Sequence, residues 1–472
     1  MKRIHPFKVI FSAILMLSAA DLPAQRITVN GGKFTVGSKE IWLNGANTPW
    51  HNWNDFGTGN YNHSWWDGHM KVLSDNGINC IRVWISCDGG GIRINPDGTV
   101  TGVTGSFFDD LDRFFDLAEN YQIYIFATML SFDHAKSDNP AFQAFRNCFN
   151  DDGKTGSLVD RYVVPFAARY KENPYLFAID ACNEIEWIHE NAETGNLAWE
   201  RLQYLAARMA VGVHEISPVL FSVGSAAVKW NGESPRYPGE GNKWKDSALQ
   251  AQYNDPKAFL DFYSPHWYGW VVRWFGNPCA TSPADYGIGD RPCIIGECPA
   301  KGMFTQDAQW NDVLVNDPAD MVEKAWQKGW RGVFPWTSNG VDNNGSIADF
   351  GAATGAFRDN HYDLVYPSSE TKINSSPKPR PATFRLSCHP NPFNGYTNIQ
   401  YRLDQPMNVE LRIYDLKGRL RRQLIQARQS PGEHVCRWDG RDQQGDPLPS
   451  GMYLCRLNTL NNRQAVKLFL IQ

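Results

Sequence analysis

The sequence predicts an α/β fold, a (β/α)8 TIM barrel, followed by a small all-β immunoglobulin-like sandwich. Three observations predict it. Short apolar runs alternate with helix-period segments over roughly 330 residues, and the runs are continuously apolar, as strands buried on both faces are. No Gly-rich dinucleotide fingerprint follows any run, which counts against an open doubly wound sheet. Beyond Pro367 the period changes from helical to alternating, the mark of half-buried antiparallel strands.

The elements follow in order. Ile27-Thr28-Val29 and Lys33-Phe34-Thr35-Val36, parted by Asn30-Gly31-Gly32, read as a hairpin. Trp42 to Asn47 is a first barrel strand, and Ser64 to Asn76 a helix stopped by Gly77. Cys80 to Ile85 is the second strand. Phe107 to Asn120 is an amphipathic helix with Leu111, Phe114, Phe115 and Ala118 on one face. Ile123 to Met129 is the third strand, Leu158 to Tyr170 a helix, and Leu176 to Glu184 the fourth strand. Leu197 to Ile216 is a long helix, Val219 to Val223 a strand, and Phe259 to Tyr268 contains another. Pro292 to Glu297 is the seventh strand, Asp317 to Gly329 a helix, and Gly332 to Trp336 the last strand. In the module beyond, Asn398 to Leu403, Val409 to Tyr414 and Gly451 to Leu457 alternate as strands.

The 472 residues divide into a signal peptide (1–24), a barrel (25–366), a Ser/Lys/Pro-rich linker (367–381) and the sandwich (382–472). Lys2, Arg3 and Lys8 precede the apolar run Val9 to Ala20, and Leu22-Pro23-Ala24 offers the cleavage site. That run is too short to span a bilayer comfortably, so the expectation is a secreted or cell-surface protein with no membrane span. A net charge of −4 argues against nucleic acid as a partner. Of the ten Cys, Cys182 and Cys293 sit in apolar strands as core residues; Cys80 with Cys87, and Cys436 with Cys455, are candidate disulfide pairs whose connectivity sequence leaves open. There is no CxxC and no HExxH, so no zinc site is expected.

Barrels place their chemistry at the C-terminal ends of their strands. Two apolar runs end there in a glutamate: Leu176-Phe177-Ala178-Ile179-Asp180-Ala181-Cys182-Asn183-Glu184 and Pro292-Cys293-Ile294-Ile295-Gly296-Glu297. Two carboxyls held about 5 to 5.5 Å apart are what glycoside hydrolysis with retention requires. The other polar groups at strand ends are Arg82, Asp133-His134, His266, Tyr268 and Trp336. The 18 Trp include Trp50, Trp53, Trp84, Trp187, Trp267 and Trp336 near strand ends, where rigid rings can stack on sugars.

Taken together, Arg82, Asn183, Glu184, His266, Tyr268, Glu297 and Trp336 resemble glycoside hydrolase family 5, over residues 26 to 365. The pattern is an Asn-Glu pair after strand four and a lone Glu after strand seven; Ile185 departs from it, where Pro is more frequent. The resemblance implies that Glu184 is the general acid/base and Glu297 the nucleophile. It implies that Arg82 and Tyr268 hold Glu297 ionised, that Asn183 bonds the sugar 2-hydroxyl, and that His266 supports the carboxylates or the sugar. Glu186 shares a strand face with Glu184, but only Glu184 directly follows Asn. Trp336, Trp187, Trp50 and His134 are expected to bind substrate. The implied activity is a retaining endo-glycanase on β-1,4-linked polysaccharide, mannan or glucomannan first, from the run Thr48-Pro49-Trp50-His51-Asn52-Trp53 and Arg82-Val83-Trp84. A cellulase, or a polysaccharide-binding protein without catalysis, stands as the alternative. No cofactor is implied, since two carboxyls carry both proton transfer and covalent chemistry; a monomer is expected.

The last module carries Pro390-Asn391-Pro392-Phe393-Asn394, Leu411-Arg412-Ile413-Tyr414-Asp415, Trp438-Asp439-Gly440-Arg441-Asp442 and Ser450-Gly451-Met452-Tyr453. These resemble the C-terminal sorting domain of type IX secretion cargo, related to the immunoglobulin-like domain of a flagellar hook-capping protein. The resemblance implies the secretion machinery as a partner.

Overall fold

The computed structural model describes residues 26–237, 239–367, 386–403, 407–415, 419–430, 432–459 and 463–471. The signal peptide and nearly all of the linker expected from sequence lie outside the described residues. The described residues form two compact units, divided at residue 371.

In the first unit eight parallel strands form one sheet: β1 (Leu43–Asn47), β2 (Cys80–Trp84), β3 (Tyr124–Thr128), β4 (Leu176–Asn183), β5 (Leu220–Ser225), β6 (Ser264–Pro265), β7 (Ile295–Pro299) and β8 (Gly332–Trp336). Their lateral order is β6-β5-β4-β3-β2-β1-β8-β7. Parallel bridges Tyr263 to Cys293 and His266 to Glu297 join the two ends of that order. The sheet therefore closes into a barrel, and the closing bridge sits at two of the residues singled out from sequence. Each strand is followed by a helix: α1 (His63–Asp75), α2 (Phe107–Tyr121), α3 (Val164–Tyr170), α4 (Trp199–Ile216), α5 (Asp246–Gln252), α6 (Gly269–Phe275), α7 (Pro318–Gln327) and α8 (Ile347–Asn360).

The helices form where side-chain chemistry satisfies their ends. Asn62 caps α1 through the Trp65 amide, Asp317 caps α7 through the Asp320 amide, and Ser346 with Asp349 forms a capping box on α8. The segment read as one helix from Leu158 is interrupted. Asp152–Leu158 is α-helical, Val159–Val163 opens into a π turn, and α3 follows. After β7 the chain makes a hairpin, Met303–Gln306 with Asp312–Asn316, that the apolar period did not signal.

The barrel's lower interior is a phenylalanine core. Phe126, Phe177, Phe262 and Phe334 are fully buried there, and Phe34 from the N-terminal hairpin joins them. Phe34 meets Phe177 and Phe262 edge-on at 5.2 and 5.3 Å. The hairpin thus plugs the end of the barrel opposite the site. Gly45 is required here, because a Cβ would stand 2.6 Å from the Phe334 ring.

In the second unit the strands are β9 (Ser387–His389), β10 (Thr397–Leu403), β11 (Met407–Asp415), β12 (Leu420–Gln429), β13 (Gly432–Trp438), β14 (Gly451–Asn458) and β15 (Arg463–Leu470). They form two antiparallel sheets, β9-β10-β13 and β12-β11-β14-β15. Ile399, Tyr401, Leu411, Ile413, Trp438 and Leu457 share one buried core, as the alternating period requires.

No disulfide occurs among the described residues, and all ten cysteines are free. Cys80 belongs to the lower core while Cys87 packs with Trp84 and Trp336 at the rim. Cys80 opens β2 and Cys87 lies beyond its far end, so the five-residue strand between them spans about 13 Å, too far for a disulfide.

Replacing Phe34 with Ala is expected to cost about 3–5 kcal/mol of stability, because the plug leaves a cavity among four rings. Thermal unfolding of the full chain checks this; an unchanged melting temperature would show that the hairpin is dispensable.

Candidate active site

The site is organised by a buried cation. Arg82 on β2 is fully buried and lies among acceptors from three other strands. Its Nη1 donates to Glu297 Oε1 at 2.7 Å and to Asn47 Oδ1 at 3.1 Å. Its Nη2 donates to Asn183 Oδ1 at 2.8 Å, and Nε and Nη2 both donate to Asp180 Oδ2, at 3.0 and 2.7 Å. A buried guanidinium is tolerated only when its donors are matched in this way. Asp180 is itself held by the Thr128 hydroxyl at 2.9 Å and the Gly224 amide at 2.7 Å. Gly224 must be glycine, since a Cβ there would lie 2.6 Å from Arg82 Nη2 and 2.8 Å from Asp180 Oδ2.

Glu297 receives a second donor, the Tyr268 hydroxyl, on Oε2 at 2.7 Å. Burial raises the Tyr268 hydroxyl's pKa, so it stays a donor. His266 Nδ1 lies 2.9 Å from Glu184 Oε1 and 3.5 Å from Glu297 Oε2. It bridges the two carboxyls. Burial lowers its pKa to about 4, which keeps the ring neutral near pH 7.

Glu184 stands just past β4, with φ of 47°, in the left-handed region that residues other than glycine rarely adopt. Its amide is fastened to the Gly224 carbonyl at 2.6 Å, and the Trp187 amide returns to its carbonyl at 3.0 Å. The turn aims its carboxyl across the barrel mouth. Trp187 Nε1 donates to Oε2 at 2.7 Å. Ligand-capable atoms of Glu184, His266 and Glu297 all lie within 4.8 Å of one another. The Glu184 side chain is 17 % exposed and that of Glu297 only 4 %.

Burial raises the pKa of both carboxyls, that of Glu184 to about 7. Only Glu297 touches Arg82, and only Glu297 accepts from Tyr268. The one proton that this pair retains near neutrality therefore sits on Glu184. The three groups Glu184, His266 and Glu297 could also hold a cation by their spacing. Each of the three, however, already has a protein partner, and the neutral His266 is shared between the carboxyls.

Trp336 ends β8 and joins an aromatic cluster: Trp336 to Trp84 at 5.7 Å, Trp84 to Trp50 at 5.0 Å, Trp50 to Trp53 at 4.7 Å. Its Nε1 is held by Asp342 Oδ2 at 2.8 Å. Of the residues expected from sequence, Arg82, Asn183, Glu297 and Tyr268 form one hydrogen-bonded set and Glu184, His266 and Trp187 another, and the two meet where His266 approaches Glu297. Trp336 and Trp50 lie together in the aromatic cluster.

His134 does not join either group. It is fully buried, with Nδ1 at 3.0 Å from the Ser131 carbonyl, Nε2 at 3.1 Å from Ser86 Oγ, and Phe145 against its face. It serves the loop after β3. Glu186, the rival of Glu184, turns inward. It accepts from Ser225 Oγ, the Ala226 amide and Trp244 Nε1 at 2.5, 3.0 and 2.8 Å, and fixes the loop after β5. Two positioning residues escaped the sequence reading, Asp180 and Asn47. Asp180 is an acid in the middle of an apolar run, and an unpaired charge there is costly enough to demand a partner.

Three comparisons with known proteins bear on this geometry. Residues 392–462 match the family described as the FlgD Ig-like domain. The chain is 24 % identical over 368 residues to the mannan endo-1,4-β-mannosidase of Mytilus edulis, covering 72 % of this chain and 95 % of that protein. Two solved structures share the barrel's fold. The endo-1,4-β-mannanase of Eisenia fetida aligns with a TM-score of 0.62 and 22 % identity, over 71 % of this chain and 95 % of that one. The β-1,4-mannanase of the sea hare Aplysia kurodai aligns with a TM-score of 0.61 and 21 % identity, over 73 % and 100 %.

Asp180→Ala is expected to destabilise the fold by about 3–5 kcal/mol, by leaving Glu297 as the one carboxylate paired with the buried Arg82; equilibrium denaturation would show it. Glu184→Gln has a pH signature. A carboxyl with a raised folded-state pKa supports the fold below pH 4.5 and loses that support as pH rises through about 7. The melting-temperature gain of Glu184→Gln over wild type should therefore grow from pH 5 to pH 8, and a gain that is flat with pH would contradict the protonation assigned to Glu184.

Proposed function

We propose that the protein is an exported, retaining endo-β-1,4-mannanase of the glycoside hydrolase family 5 type. The observation that carries this reading is the carboxyl pair: Glu184 and Glu297 oxygens within 4.8 Å, bridged by His266. Retaining sites hold their carboxyls about 5–5.5 Å apart, whereas inverting sites leave about 6.5–9.5 Å for a water.

In the proposed mechanism Glu297 attacks the anomeric carbon while Glu184 gives its proton to the leaving oxygen. Arg82 and Tyr268 hold Glu297 ionised and aimed. Asn183 spends its carbonyl on Arg82, which leaves its NH2 to donate to the sugar 2-hydroxyl. Forming the glycosyl ester removes the charge on Glu297. The field of Arg82, which lowers the proton affinity of Glu184, is then no longer opposed by a negative charge on Glu297. Glu184 becomes a base toward water, and the second displacement restores the original anomeric configuration. The second step consumes one water, whose oxygen bonds the anomeric carbon and whose proton returns to Glu184 as the Glu297 carboxylate leaves.

The choice of mannan is supported by the mannanase relatives and by the aromatic run Trp50 to Trp53 beside Trp84 and Trp336. Export is supported by the N-terminal sequence and by the second unit, which we assign as a type IX secretion sorting domain on its likeness to the FlgD Ig-like domain. Among the described residues no helix is long and apolar enough to cross a membrane.

The reading is tested on mannan, glucomannan, carboxymethyl cellulose, xyloglucan and β-1,3-glucan. Mannan or glucomannan should be cleaved, and Glu297→Ala should reduce turnover to background. Glu184→Ala should lower kcat by about 10²–10⁴-fold, with a smaller loss on an aryl glycoside whose leaving group needs no proton. Wild-type kcat should fall as pH rises through about 7, where Glu184 loses its proton. Equal turnover by wild type and Glu297→Ala on every glycan would overturn the assignment.

A further inference from the structure

Two chains of tryptophans leave the carboxyl pair along opposite arcs of the barrel rim. One is the cluster Trp336, Trp84, Trp50 and Trp53 above β8, β1 and β2, whose outer member Trp53 is 39 % exposed. The other begins at Glu184. Trp187, bonded to Glu184 Oε2, lies 6.3 Å from Trp270. Trp270 and Trp274 stand four residues apart on α6, on one face of that helix. Trp274 lies 6.4 Å from Trp310, in the turn of the hairpin after β7.

This second chain ends in solvent. Trp274 is 60 % and Trp310 57 % exposed, and the two adjoining rings make one exposed apolar patch of the kind that marks a binding surface. They are also held in place. Arg273 lies over Trp310 at 4.2 Å and over Trp274 at 5.4 Å, and its guanidinium donates to the Asp307 carbonyl of the hairpin turn. The pair is a braced platform with a cation between two apolar faces. Rings flanked by hydrogen-bond donors fit a pyranose, which offers C–H faces and a rim of hydroxyls.

We infer that Trp274 and Trp310, braced by Arg273, form a distal platform for the leaving-group end of a β-linked mannan chain. The inference rests on the mannanase reading and deepens it. The direction follows from the chemistry. Glu184 gives its proton to the oxygen that departs with the leaving segment, so the aromatic path that starts at Glu184 follows that segment outward. The path through Trp336 then serves the sugars that stay on Glu297. A platform beyond the cleft makes the enzyme prefer long leaving segments, and it also retains a glycan acceptor that can compete with water for the glycosyl ester.

The test uses the full chain. In the catalytically silent Glu297→Ala background, W274A/W310A should raise the Kd for mannohexaose about tenfold by titration calorimetry, the loss of one well-stacked ring's worth of affinity. W274F/W310F should recover most of it. In the active enzyme the alanine pair should raise KM on mannohexaose and mannan, with kcat little changed, and shift the cut site mapped by hydrolysis in ¹⁸O water. An aryl mannobioside, whose leaving group ends before the platform, reports whether the variant's carboxyl pair is intact. Unchanged Kd, KM and cut site would overturn the platform while leaving the mannanase reading standing. Binding of mannohexaose without any turnover by wild type would instead sink the mannanase reading and leave the platform measurable by Kd.

Discussion

A guanidinium without water must be surrounded by acceptors, and everything at the mouth of this barrel depends on that requirement. Arg82 reaches from β2 to Asp180 and Asn183 on β4, to Glu297 on β7 and to Asn47 on β1. One side chain thereby sets the relative height of four strands at their C-terminal ends. It also decides which carboxyl is ionised. Glu297 shares the cation with Asp180, whereas Glu184 faces it only through space. The different environments of two chemically identical groups divide them into an acid and an attacking base.

The geometry of Glu184 opposes stability twice. Its backbone is in the left-handed region, and its carboxyl is largely buried with no cation in direct contact. Neither feature would persist without enforcement by the surroundings. The Gly224 carbonyl, the Trp187 amide and indole, and His266 supply that enforcement. Glu186, two residues on, has an equally raised pKa, about 7, but three neutral donors satisfy it and it faces the loop after β5. Perturbed titration alone would not separate the two; access to the cleft does.

Much of this was legible in the chain. The apolar runs marked β1, β2, β3, β4, β5 and β8 to within a residue or two, and β7 to within three, because strands covered on both faces exclude polar residues except at their ends. The same rule made Glu184 and Glu297 visible, as charges terminating apolar runs. It placed β6 only loosely, within Phe259 to Tyr268, where Ser264–Pro265 alone pairs regularly, and it failed at the hairpin after β7, whose Val313, Leu314 and Val315 are exposed. It also concealed Asp180, which reads as an interruption of a strand until Arg82 is placed against it. His134 misled for the opposite reason: a histidine after a barrel strand has the address of a site residue, and only its neighbours Ser86, Ser131 and Phe145 show that it is a loop brace.

The sequence by itself determined the two folds and the two carboxyls, because periodicity and buried charge are local properties that each segment carries alone. Tertiary structure decided what each carboxyl can do. The 4.8 Å closeness of Glu184, His266 and Glu297 is a distance between strand ends that are far apart in the chain, 82 residues from Glu184 to His266. So are the choice of Glu184 over Glu186 and the alignment of Trp187, Trp270, Trp274 and Trp310 into one path. Each depends on how the closed barrel brings distant strand ends onto one rim, and the pKa of a group and the reach of a ring are set by that rim rather than by the residue type.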